Sequence, residues 1–111
     1  MPADLTEEEF SKYVNTKFRV RLDAEVGADL ELTEVKGYMS KHPEQTGMER
    51  FSVYFNGPAE PFLPQLLYTF EHDRMGEFEM FLVPIAKNDA GFRYESVFNY
   101  FKKQVMSNEY G

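Results

Sequence analysis

The chain has 111 residues, 42% of them apolar, with eleven phenylalanines, seven tyrosines, no cysteine and a formal charge of −7. That length holds one hydrophobic core, the ring content excludes intrinsic disorder, and the absence of cysteine excludes disulfides and thiolate metal sites. The acidic charge repels phosphate backbones and anionic lipid heads, and no apolar run approaches the about 18 residues of a membrane span, so neither nucleic acid nor membrane is an expected partner.

The first residues, Met-Pro-Ala-Asp-Leu-Thr-Glu-Glu-Glu, are acidic where a signal peptide would be basic and then apolar, which predicts a cytoplasmic protein. Leu5-Thr6-Glu7-Glu8-Glu9-Phe10 carries a capping box, Thr6 with Glu9, and a hydrophobic staple, Leu5 with Phe10. A short helix over about residues 7 to 14 follows, with Phe10, Tyr13 and Val14 on one face.

Large apolar residues then recur with a period of two: Phe18, Val20, Leu22; Phe51, Val53, Phe55; Tyr68, Phe70; Phe78, Met80, Leu82. Each run reads as a half-buried strand around a shared aromatic core. A first hairpin is expected with Glu25-Val26-Gly27 as a three-residue loop, Gly27 left-handed, and Arg21 opposite Glu31. Lys17, Arg19 and Arg21 then form a basic row on the outer face. Its ordinary reading is a solvated strand face paired with acids, and its functional reading is an anion site.

Residues 38 to 50 lose the alternation and gain Pro43 and Gly47, so they read as a long loop. Tyr38, Met39 and Met48 are its candidate contact residues, the methionines because their side chains adapt; a plain connection is the alternative. A third strand over about 50 to 56 leads into a crossing stiffened by Pro58, Pro61 and Pro64. Phe62 and Leu63 are expected to fold inward as a lid, the alternative being an exposed contact for a partner.

A second hairpin closes at Arg74-Met75-Gly76, with Gly76 left-handed. It is expected to set Glu71 opposite Glu79, Asp73 opposite Glu77, Phe70 opposite Met80 and Tyr68 opposite Leu82. Glu71, Asp73, Glu77 and Glu79 then crowd one outer face, and like charges in opposition need neutralising. The candidate partner is a basic surface, either of another protein or the Lys17, Arg19, Arg21 row of a second copy. Pro84 marks a strand end or edge and Asn88-Asp89-Ala90-Gly91 a turn. Phe92, Tyr94, Ser96 and Phe98 alternate as a sixth strand, although Tyr94, Phe98, Phe101 and Val105 also fit a helix; strand to about Phe98 is preferred, making residues 1–99 one domain and 100–111 a short tail.

Chemistry finds no anchor. His42 and His72 have no histidine or cysteine at metal-ligand spacing, and no phosphate loop, HExxH helix, GxSxG elbow or calcium loop is present. His72 is a possible base only if a carboxylate reaches it, and neighbouring residues on a strand point apart. The four acids are poor Ca²⁺ ligands on flat strands. No catalytic residue, cofactor or metal is expected.

The phrases Leu5-Thr6-Glu7-Glu8-Glu9-Phe10, Phe51-Ser52-Val53-Tyr54-Phe55-Asn56-Gly57-Pro58, Leu63-Pro64-Gln65, Tyr68-Thr69-Phe70-Glu71-His72, Phe81-Leu82-Val83-Pro84 and Arg93-Tyr94-Glu95-Ser96-Val97-Phe98-Asn99 resemble a family of small, uncharacterised bacterial proteins, a domain of unknown function. The resemblance covers about residues 5 to 99. It implies no named activity, and a setting beside phage-tail-like or collar-type proteins.

The expected fold is mainly β: about six antiparallel strands in a barrel or two-layer sandwich, with one short N-terminal helix plugging or flanking it. The expected role is a non-catalytic interaction or structural accessory module with a protein partner or a second copy. The alternative is a small-molecule-binding barrel with an open aromatic interior, His72 and Tyr68 at its mouth.

Overall fold

The period-two runs fold into a single wall whose inner face carries the rings. In this computed structural model, which describes residues 5–23, 25–38 and 48–101, the chain runs α1 (Glu7–Ser11), β1 (Lys17–Arg21), β2 (Gly27–Tyr38), β3 (Met48–Pro58), β4 (Leu66–His72), β5 (Gly76–Asn88) and β6 (Gly91–Phe101). The strands form a closed antiparallel barrel in the order β1-β2-β3-β6-β5-β4. A short ladder closes it, pairing Arg19 with Glu71, Val20 with Phe70 and Arg21 with Thr69. Closure removes the free edges that a sandwich would keep.

Inside stand Phe18, Val20, Leu30, Leu32, Phe51, Val53, Phe55, Tyr68, Phe70, Phe78, Met80, Leu82 and Tyr94, all buried. Helix α1 plugs one end through Phe10, fully buried, whose ring centroid lies 6.3 Å from Phe18, 6.1 Å from Phe51, 6.0 Å from Phe78 and 5.6 Å from Phe98. Thr6 caps the helix, its hydroxyl accepting from the Glu9 N–H at 3.1 Å. The Glu9 carboxylate pairs with Lys12 at 3.1 Å.

The helix stops at Ser11, short of the expected residue 14, because the chain must turn to reach β1. Asn15 takes a left-handed φ of 74°, which asparagine tolerates, and its N–H donates to the Leu32 carbonyl at 2.6 Å. Tyr13 and Val14 still pack on the core.

The first hairpin differs from expectation. Arg21 pairs with Gly27 and Lys17 with Glu31, so Gly27 begins β2 instead of closing the loop. The turn is built by Asp23, whose Oδ1 accepts from the N–H groups of Glu25 and Val26, each at 2.8 Å. Those two bonds hold its carboxyl below the usual aspartate pKa.

In the second hairpin Gly76 is left-handed as expected, with φ 84°. The register is two residues tighter: His72 pairs with Gly76, Glu71 with Glu77, Phe70 with Phe78, Thr69 with Glu79 and Tyr68 with Met80. Met75 turns inward and is fully buried, which draws the bend closer to the core.

Strand β5 passes through Pro84 instead of ending there. β4 begins only at Leu66, opposite Leu82, so β5 has only β6 beside it from Val83 onward, and a bulge between Pro84 and Ala86 accommodates the ring. Residues 38 and 48, expected in the long loop, are the last of β2 and the first of β3, and β6 remains a strand through Phe101.

Candidate functional site

Because Phe18 and Val20 point inward, Lys17, Arg19 and Arg21 point outward, and barrel closure lays this basic row beside β4. The expected acidic face therefore meets it within one chain. Arg21 bonds the Glu71 carboxylate through Nη2 and reaches Glu77 at 3.4 Å through Nη1. It bridges the two carboxylates that oppose each other across β4 and β5. Arg19 lies 3.6 Å from Asp29 on β2. The outer wall over β2, β1, β4 and β5 is thus striped acid, base, acid, acid. Among the described residues, Lys17, Asp73 and Glu79 take part in no ion pair.

Two open grooves follow the stripes. One of about 300 Å³ is lined by Lys17, Arg19, Asp29, Glu71, His72 and Asp73. The other, of about 280 Å³, is lined by Arg19, Arg21, Asp23, Glu25, Val26 and Glu71. Both mix signs, so neither presents a uniform field to a small ion.

His72 sits where the second hairpin meets the helix turn. Its Nδ1 accepts from the N–H groups of Arg74 at 3.0 Å and Met75 at 3.2 Å, which places the ring proton on Nε2. That proton goes to the Thr16 hydroxyl at 2.9 Å, which donates onward to the Tyr13 carbonyl at 2.7 Å. The rings of Phe18 and Tyr13 flank it at 4.2 and 4.8 Å. Burial pushes its pKa below the usual imidazole value, opposed by the Asp73 charge and aided by Arg74. Both nitrogens are occupied in holding the fold.

The expected loop contacts divide. Met39 and His42 lie outside the described residues, and Tyr38 and Met48 belong to strands. Leu63 folds inward as expected, 1% exposed, with its N–H donating to the Tyr94 hydroxyl at 3.1 Å. Phe62 does not: it remains 48% exposed, its ring 4.8 Å from Phe92, because consecutive residues of the extended crossing point opposite ways. Among the described residues no group of acids and histidines is placed to hold a metal ion, and no helix is long and apolar enough to cross a membrane.

A further feature lies in the residues between the inward ones. Leu67, Phe81 and Val97 are outward on β4, β5 and β6 and stand 50, 61 and 63% exposed. Leu67 opposes Phe81, and Val97 follows Ser96, whose hydroxyl donates to the Phe81 carbonyl. The signal was available in the alternation, since an inward Met80 and Leu82 oblige Phe81 to face out.

Residues 5–98 match the model of a family described as "Domain of unknown function (DUF6916)", and the chain belongs to that family. No curated protein and no solved structure matches it.

Proposed function

We propose that this chain, as a member of that family, is a non-catalytic interaction or structural accessory module acting in the cytoplasm, with a phage-tail-like assembly as the setting that the sequence resemblance implies. The observation that carries the reading is the acidic outer face. Arg21 offsets one of the two negative charges of Glu71 and Glu77 internally, while Glu79 on the face and Asp73, which the tighter register moves from its expected place opposite Glu77 into the hairpin turn, remain outside every ion pair among the described residues, so the face still offers charge to a basic protein surface. The interior supports this reading over a small-molecule receptor. Phe51 and Phe98 stack at 4.7 Å, Phe18 and Phe55 meet at 5.4 Å, and Phe70 and Phe78 stack at 5.8 Å, so the rings spend their surface on one another.

The test is co-expression with the proteins encoded beside it, followed by sizing of the purified mixture at low and high salt. A complex that forms at low salt and weakens in Asp73→Asn with Glu79→Gln supports the module. A chain that stays monomeric and alone at every salt concentration overturns it.

A further inference from the structure

The outer face over β4, β5 and β6 changes character along the strands. Glu71 opposes Glu77, the next outward row sets Thr69 against Glu79, and the next sets Leu67 against Phe81, with Val97 beside it on β6. Single exposed apolar residues are ordinary, whereas three large ones side by side on adjacent strands form a contiguous patch. Two carboxylates border the row. Glu79 stands two residues before Phe81, and Glu95, two residues before Val97, pairs with Val83. Among the described residues neither enters an ion pair.

We infer that Leu67, Phe81 and Val97 form a docking strip for a polypeptide segment in which large apolar side chains alternate with lysine or arginine. The apolar residues seat on the row and the cations reach Glu79 and Glu95. Charge decides the occupant. A two-fold contact with a second copy brings the same carboxylates together on two chains of formal charge −7 each, and anionic lipid heads are repelled in the same way. A head-to-tail contact sets the strip against Lys17, Arg19 and Arg21, whose neighbours across the ladders are Glu31, Asp29 and Thr69 and whose groove offers Val26 as its single apolar lining residue, too little to cover Leu67, Phe81 and Val97 together. The inference rests on the interaction-module reading and deepens it by naming the partner's chemistry.

The experiment titrates isotope-labelled full-length protein with the synthetic peptide Lys-Leu-Lys-Val-Lys-Leu-Lys, and with two controls in which serine replaces the apolar residues or glutamate the lysines. Amide shifts clustered around Leu67, Phe81 and Val97 are expected with the first peptide only. Phe81→Ser, an exposed change that leaves the core intact, should weaken binding about tenfold, with a smaller loss in Glu79→Gln. Equal binding of the serine control, or binding untouched by Phe81→Ser, overturns the strip. Shifts that move to Glu71 and Glu77 overturn it while leaving the module reading standing. Concentration-dependent dimers abolished by Phe81→Ser identify a second copy as occupant and overturn the proposed partner chemistry. Absence of any peptide binding overturns the strip alone, since co-elution with a neighbouring protein judges the module separately.

Discussion

Nε2 of His72 stands 2.9 Å from the Thr16 hydroxyl, fifty-six positions away in the chain, and ties the tip of the β4–β5 hairpin to the turn that leaves helix α1. The other ring nitrogen closes the hairpin by accepting two backbone N–H groups, so the neutral imidazole is part of the fold. A protonated ring loses that acceptor and turns Nδ1–H against two donors.

The sign of the pH dependence follows. Burial lowers the His72 pKa in the folded chain, so the unfolded chain takes up the proton first. The stabilisation is complete above the ordinary imidazole pKa of about 6.5 and is lost as pH falls from there toward the lower folded value. The charged groups around the ring are Asp73 and Arg74 on its own hairpin, with Lys17, Arg19, Asp29 and Glu71 lining the groove beside it, and Tyr13 packs on it from the helix turn. Urea unfolding at about pH 7.5 and pH 5.5 should show a loss at the lower pH that is reduced in His72→Asn, whose amide oxygen can still accept from the turn. An equal loss in both proteins contradicts the assignment.

Arg21 answers the opposition of Glu71 and Glu77. Exposed ion pairs usually contribute up to about 1 kcal/mol, and here removal also leaves two like charges facing each other across a ladder. Arg21→Gln should cost about 1 kcal/mol at low ionic strength. Raising the salt should recover part of that loss by screening the carboxylates, and adding Glu71→Gln should recover more. Denaturant midpoints of the two variants at low and high salt measure it.

The same pair shows what local sequence pattern contains and what it lacks. Alternation identifies which face each residue takes, and Phe18, Val20, Phe70, Phe78 and Tyr94 all point inward as expected. It is blind to slips by an even number of residues, which leave every side chain on its own face. Both hairpins slipped in that way, Arg21 meeting Gly27 instead of Glu31, and Glu71 meeting Glu77 instead of Glu79. The causes are particular: the Asp23 carboxylate builds one turn, and the inward Met75 with the His72 ring tightens the other. Closure of β1 onto β4 is a contact about fifty positions apart that no local period encodes, and with it went the pairing of Arg21 with Glu71 and Glu77 that offsets part of the acidic face. The apolar strip was half legible, since each member's outward direction follows from its neighbours while their alignment across strands needs the register.

Two tyrosine hydroxyls pin the proline crossing to the barrel. Tyr94, fully buried, accepts from the Leu63 N–H at 3.1 Å, and Tyr68 donates to the Pro64 carbonyl at 2.6 Å. Burial pushes both phenol pKa values up, so the neutral forms persist through the physiological range. Tyr94→Phe strands a buried N–H and should cost about 1–3 kcal/mol, whereas Tyr68→Phe frees a carbonyl whose partner lies nearer the surface and should cost about 1 kcal/mol. Thermal unfolding of the two single variants ranks them, and hydrogen exchange at Leu63 should accelerate in Tyr94→Phe.

Gly91 opens β6 directly opposite Pro58, the last residue of β3. Its φ of 156° lies where side-chain-bearing residues rarely go, and a Cβ there would run into the Gly57 carbonyl oxygen and lie 2.9 Å from the Pro58 carbonyl carbon. Those obstacles are backbone, held by the β3–β6 ladder, and cannot swing aside as a side chain would. The Asn88 side chain, accepting from the Ala90 and Gly91 N–H groups at 2.8 and 2.9 Å, fixes the turn that delivers Gly91 to this spot. Gly91→Ala should therefore destabilise by more than the about 1 kcal/mol of an ordinary left-handed glycine replacement, and by more than Gly76→Ala, where φ is 84°. Urea unfolding of the two alanine variants checks the order; an equal or smaller loss for Gly91→Ala would mean that the β3–β6 ladder yields at this end.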